Sequence, residues 1–112
     1  MKIDKELLKG STDLLVLSVL ENKNMYGYQM IKEIKMKSKD LFEFQEGTLY
    51  PILHKLEEKK YISSYWDEVC GKKRKYYTIT TEGKRHYKAK KEEWRNFSGS
   101  VNQVIGGVLF EY

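Results

Sequence analysis

Residues 45–62 carry two kinds of side chain at helical spacing. Leu49, Ile52, Leu53 and Leu56 recur every three or four positions and mark a buried stripe. Thr48, His54, Lys55, Glu58 and Lys59 fall off that stripe, and Tyr50 adds a phenol. An outward face with hydroxyl, imidazole and ammonium groups suits hydrogen bonding to base edges and phosphates. The same pattern also fits an ordinary amphipathic helix, whose solvent face is charged by default. Pro51 bears on where the helix begins, because proline is harmless only where its missing N–H had no partner. With Thr48 as N-cap, Pro51 falls in the first turn. An earlier start loses one backbone bond there.

A second concentration of chemistry is Lys72, Lys73, Arg74 and Lys75, consecutive basic residues. They follow Cys70-Gly71 and lie between two alternating, β-rich runs, 61–69 and 75–80, which read as a hairpin. A basic hairpin tip after a polar-faced helix can grip phosphates. Alternatively, lysines there only keep strand edges soluble. Catalysis has no comparable support. We find no nucleophile–base pair, no carboxylate pair in an apolar setting and no phosphate-cradling glycine loop. His54, His86 and Cys70 do not make a metal-ligand cluster, and no cofactor is implied. The single cysteine excludes an internal disulfide and fits a reducing compartment. Cys70 itself reads as an exposed bystander or, with lysines beside it, as a reactive thiol.

The elements that must position these groups are mostly helical. A first helix is expected over residues 5–22 with Asp4 as N-cap. From Leu14 onward it is apolar nearly all round (Leu14, Leu15, Val16, Leu17, Val19, Leu20), so it needs cover on two sides. One cover is the domain core and the other a partner subunit. A second helix follows over about 26–37, with Tyr26, Met30, Ile31 and Ile34 inward. Leu41, Phe42 and Phe44 anchor a connector to the helix of residues 45–62. Helix, connector and helix make a helix-turn-helix, and the hairpin after it makes a wing. Thr80 or Thr81 caps a last long helix. There Tyr87, Trp94, Val101 and Val108 lie seven apart, with Phe97 and Val104 between them. That is an a/d seam, interrupted by Lys90 and weakened by Gly99 and Gly106-Gly107.

The expected class is mainly α with a small β-hairpin, an α+β fold. Residues 1–80 form a winged helix-turn-helix domain and residues 81–112 a C-terminal dimerisation helix. The net charge of +5 and pI of about 9.2 favour an acidic partner, nucleic acid before an anionic membrane surface. No signal peptide precedes the first helix and no apolar run spans a bilayer, so cytoplasm is the expected setting.

The residues also resemble a known family. Lys9-Gly10-Ser11-Thr12-x-Leu14-Leu15, Tyr26-Gly27-Tyr28 and Gly47-Thr48-Leu49-Tyr50-Pro51-x-Leu53-x-x-Leu56-Glu57 carry the likeness in the helices. Gly71-x-x-Arg74-Lys75-Tyr76-Tyr77-x-Ile79-Thr80-x-x-Gly83 carries it in the hairpin. Over residues 5–97 the chain resembles the PadR family of transcriptional regulators, in its short form with one C-terminal helix. The resemblance implies a homodimeric winged-helix repressor that binds a palindromic operator in double-stranded DNA. Thr48, Tyr50, His54 and Lys55 would face the major groove, with Tyr50 on a base or a phosphate, and Lys72, Lys73, Arg74 and Lys75 would hold the backbone or minor groove. Leu7, Leu14, Leu17, Tyr87, Trp94, Phe97, Val101 and Val104 would form the dimer. In a branch typified by a lactococcal multidrug-binding repressor, a tryptophan of the last helix stacks flat aromatic cations at the dimer centre. By that likeness Trp94, with Leu14, Leu17 and Ser18 opposite it, would bind an aromatic or cationic effector; otherwise Trp94 only packs the seam. The alternative function is a winged-helix protein-interaction module without specific DNA readout.

Overall fold

A computed structural model describes residues 8–106. In chain order the elements are α1 (Thr12–Asn22), β1 (Met25–Tyr26), α2 (Gly27–Lys37), α3 (Glu46–Glu58), β2 (Ile62–Val69), β3 (Lys72–Ile79) and α4 (Thr81–Val104). The three strands form an antiparallel sheet in the order β1-β3-β2. This is the expected α+β winged helix-turn-helix, with one strand more than the hairpin alone supplies.

The first helix is interrupted where its apolar pattern suggests continuity. Leu8 and Lys9 are helical, a turn at Gly10-Ser11 follows, and α1 resumes at Thr12. Glycine, serine and threonine in succession are weak helix formers, and the Ser11 N–H closes the turn on the Leu8 carbonyl at 2.8 Å. Val16, Leu17, Val19 and Leu20 are all buried within the protomer. The core therefore absorbs more of the apolar surplus than expected. Leu17 is 0% exposed within the protomer, so its side chain is taken up by the protomer's own core. Leu14 stays half-buried. Leu7 and Val108 lie outside the described residues.

Met25, Met30, Ile34, Phe44, Leu49, Leu53, Leu56, Ile62, Tyr77 and Ile79 complete the core. The Tyr26 N–H donates to Gln29 Oε1 at 3.1 Å and fixes the start of α2. The connector from α2 to α3 turns on Lys39 and Asp40, both left-handed with φ of 53° and 68°. Ser38 Oγ accepts the Phe42 N–H at 3.0 Å, and Phe44 then plugs the core.

α3 begins at Glu46 with Gln45 as its cap residue, so Thr48 is not the N-cap. Pro51 sits inside the helix. Its ring removes the N–H that would have met the Gly47 carbonyl, which is the lost bond an earlier start requires. The helix closes with Lys60 in the left-handed region (φ 65°) and the Tyr61 N–H on the Leu56 carbonyl at 3.0 Å.

The junction of hairpin and α4 is tightly built. Thr80 Oγ1 accepts the Gly83 N–H at 3.0 Å, which caps α4, and donates to the Lys60 carbonyl at 2.8 Å. Gly83 packs so close that a β-carbon there would overlap the Tyr61 carbonyl oxygen. His86, one turn on, stacks on the Tyr61 ring at 4.0 Å. Burial first, then the positive charge of Lys90, lowers its pKa from the ordinary 6.5.

Candidate nucleic-acid interface

The outer face of α3 follows from its inner one. With Leu49, Leu53 and Leu56 buried, the opposite side carries Gly47, Pro51, His54 and Glu58 at helical spacing, all exposed. His54 therefore stands at the centre of the face that a groove would meet. Pro51, His54, Lys55, Glu57 and Glu58 line a shallow depression there. Thr48 and Lys55 are exposed on one flank. Lys55 leans back to α1, with Nζ 3.6 Å from Asp13 Oδ2. The pair is long and only partly shielded from water, so it contributes little and Lys55 can exchange it for a phosphate. Tyr50 occupies the other flank, its hydroxyl laid over Gly27 at the start of α2. Neither Gly47 nor Pro51 was expected on the reading face. Their place follows from the buried stripe once the helix start is moved forward.

The hairpin differs from the expected basic loop. Its turn is only Cys70-Gly71, both with positive φ (54° and 78°), and Val69 pairs with Lys72 across it. These are the dihedral signs of a type I′ turn, which matches the strand twist. Lys72, Lys73 and Arg74 thus belong to β3, where alternation splits them between faces. Lys72 and Arg74 share one face, and Lys73 and Lys75 the other. Two cross-strand neighbours are acidic: Asp67 opposes Arg74 and Glu68 opposes Lys73.

Arg74 is further occupied by an aromatic cluster. Its guanidinium lies 4.3 Å from the centre of the Tyr26 ring. Tyr26 meets Tyr76 edge-on at 5.4 Å, and Tyr76 stacks on Tyr65 at 5.7 Å. The short strand β1 brings Tyr26 there by pairing it with Tyr76. Cation–π contact holds the guanidinium plane while its N–H groups stay free to donate at their edges. Sequence pattern could not find this cluster, because β1 is too short to show alternation.

α4 presents the expected seam uncovered. Trp94 is 44% exposed, Phe97 60% and Val104 85%, with Val101 also exposed. The Trp94 and Phe97 rings lie 6.0 Å apart. Tyr87 is half-buried and its hydroxyl donates to Ser18 Oγ at 3.4 Å. Ser18 thus faces Tyr87, seven residues before Trp94, or roughly 10 Å along the helix. Cys70 is exposed at the wing turn. Among the described residues no group of His, Cys, Asp and Glu could hold a metal ion, and no helix is long and apolar enough to cross a membrane.

A helix-turn-helix with an exposed second helix, followed by a basic two-stranded wing, defines a DNA-binding regulator of the winged-helix class. Residues 16–89 match the transcriptional regulator PadR-like family, and the chain belongs to that family. Such regulators bind DNA and are not enzymes. A transcriptional regulator from Clostridium thermocellum is 39% identical, with a TM-score of 0.81 over 88% of this chain and 96% of that one. A PadR family regulator from Clostridium difficile is 38% identical, with a TM-score of 0.77 over 87% of this chain and all of the other. An uncharacterized protein from Lysinibacillus sphaericus is 31% identical over 107 residues, 95% of this chain and 98% of its own length.

Proposed function

We propose that the chain is a homodimeric, sequence-specific repressor acting in the cytoplasm on a palindromic operator. The observation that carries the dimer is the seam of α4. Trp94, Phe97, Val101 and Val104 form an exposed apolar stripe on one helix, a surface that a monomer would keep in water. A second copy covers it, with Leu14 and Tyr87 at the margin. Each protomer then offers one α3, with His54 and Thr48 toward bases, Tyr50 on base or phosphate, and Lys55 toward phosphate. Lys72, Lys73, Arg74 and Lys75 of each wing hold the backbone. A handful of base contacts gives only a few kcal/mol of discrimination, so selectivity needs both readers. Two-fold symmetry sets half-sites one helical turn apart, roughly 34 Å.

Relief of repression follows from the same seam. A flat aromatic cation held between the two Trp94 rings, with Leu14 and Ser18 nearby, shifts DNA affinity if it prefers one dimer geometry over another. Quenching of Trp94 emission by a flat cationic dye reads this, with Trp66→Phe to remove the background. The main test is a titration against promoter fragments, including the chain's own upstream region, at two salt concentrations. Tight binding to one palindrome supports the proposal. Equal binding to every fragment sinks it. Unchanged function after Lys72, Lys73 and Arg74 are all replaced by Ala would favour the protein-interaction module.

A further inference from the structure

The two faces of the wing are unequally occupied. On one, Tyr65 and Tyr76 stack, Arg74 covers Tyr26, and the Asn24 amide donates to the Tyr65 hydroxyl at 3.0 Å. The other face turns toward α3, because Ser64 Oγ donates to Glu57 Oε2 at 2.6 Å. Two residues nearer the turn on that same face stands Trp66, roughly 7 Å along the strand. At 64% exposure it is the most exposed of the described Phe, Tyr and Trp residues. Its indole makes no ring, cation or hydrogen-bond contact among the described residues, so its N–H donor is unused. Lys75 is its direct cross-strand neighbour, and Lys73 lies two residues from Lys75 on the same face.

A solvent-facing tryptophan on the face of the wing that turns toward α3 has a large apolar plane and one donor to offer. Duplex DNA passing between α3 and the wing presents a complement to both. The deoxyribose ring is an apolar face and the phosphate oxygens are acceptors. We propose that Trp66 is a DNA-contacting residue. Its indole packs on a sugar of the strand that runs between α3 and the wing, and Nε1–H donates to a phosphate oxygen of that strand. Lys75 sets its ammonium on the same strand. The contact is sequence-independent: it adds grip without choosing bases. The inference rests on the DNA-binding reading and names a group that charge counting alone passes over.

The test uses the full chain with fluorine-labelled tryptophan. It has two indole resonances, from Trp66 and Trp94, assigned by Trp66→Phe. A preferred promoter duplex and a scrambled duplex are both titrated. The Trp66 resonance is expected to move with either duplex. Trp66→Ala is expected to weaken binding to both about tenfold, with unchanged oligomeric mass. Trp66→Phe keeps the ring packing and is expected to lose part of that, which also guards against a folding defect in the alanine variant. Wild-type affinity in both variants, with a still resonance, overturns the inference and leaves the DNA-binding reading standing. A wild-type chain that binds no duplex at all removes both. A Trp66 resonance that follows protein concentration rather than DNA overturns the inference in favour of contact with a second chain.

Discussion

The Tyr50 hydroxyl rests on Gly27: a β-carbon at position 27 would lie 2.6 Å from Tyr50 Oη and 3.0 Å from Cζ. The first residue of α2 thereby sets where a side chain of α3 points. Gly27→Ala is expected to swing the exposed end of Tyr50 outward. Stability should change by less than about 1 kcal/mol, because the ring end is free to move. DNA affinity should fall about tenfold as the hydroxyl leaves its position. A double-mutant cycle with Tyr50→Ala checks the coupling. Additive effects of the two changes would mean that Gly27 does not act through Tyr50.

Gly83 has a harder neighbour. A β-carbon there overlaps the Tyr61 carbonyl oxygen and lies 2.9 Å from Ile79 Cγ1. Backbone cannot swing away as a tyrosine tip can, so α4 must shift as a whole. Gly83→Ala is expected to cost on the order of 2–4 kcal/mol, a drop in Tm of roughly 10–25 °C for a domain of this size. Thermal melting checks it.

The exposed stripe on α4 bears on assembly. Trp94→Asp with Phe97→Asp places charge on the stripe without touching the core, since both side chains are exposed. Sedimentation should report a monomer whose circular dichroism keeps its helical content. Affinity for the operator should fall about 100-fold or more, because the second reader is no longer tethered to the first. A double variant that still sediments as a dimer moves the interface elsewhere.

His86 gives a pH dependence with a fixed sign. Its folded pKa is lowered, chiefly by burial, so the unfolded chain takes up a proton first as pH falls below about 6.5. The neutral-His86 advantage is whole above 6.5 and is lost as pH drops toward the folded pKa. Melting curves of wild type and His86→Phe should therefore diverge between neutral pH and pH 5, with the wild type losing more. Parallel curves would assign the acid sensitivity to other groups.

Cys70 occupies a left-handed turn position, which asparagine adopts more readily than cysteine. Cys70→Asn is expected to raise stability by about 0.5 kcal/mol and to leave DNA binding unchanged. If the variant instead escapes a loss of DNA binding that mild oxidation causes in the wild type, the thiol is a sensor.

The helix-turn-helix was legible because Leu49, Leu53 and Leu56 on α3 and Met30 and Ile34 on α2 keep helical spacing and are buried together. What stayed hidden depended on contacts distant in sequence or on backbone geometry. An all-apolar α1 cannot reveal which side its own core takes, so Leu17 read like Leu14. The proline rule left two starts open for α3, Thr48 as N-cap or an earlier start at the cost of one backbone bond, and the helix takes the earlier one, at Glu46. Four basic residues in a row suggest a loop, but the Cys70-Gly71 turn is tight enough to carry three of them into a strand. Met25–Tyr26 has no pattern of its own and is a strand only because β3 lies beside it.

If the wing grips DNA as proposed, its strand register also sets how many ions leave the DNA when the protein arrives. The logarithm of affinity falls with the logarithm of salt concentration by about 0.9 for each phosphate neutralised. A wing whose four cations acted independently would release one counterion apiece. Here Asp67 and Glu68 are the cross-strand neighbours of Arg74 and Lys73, so their negative charge lowers the net positive potential of the hairpin. Shifting the register by one residue would leave the composition intact and change the slope. On the proposed DNA-binding reading, such a wing competes only modestly with the ionic atmosphere of DNA, and more of the binding is expected to fall to the face around His54.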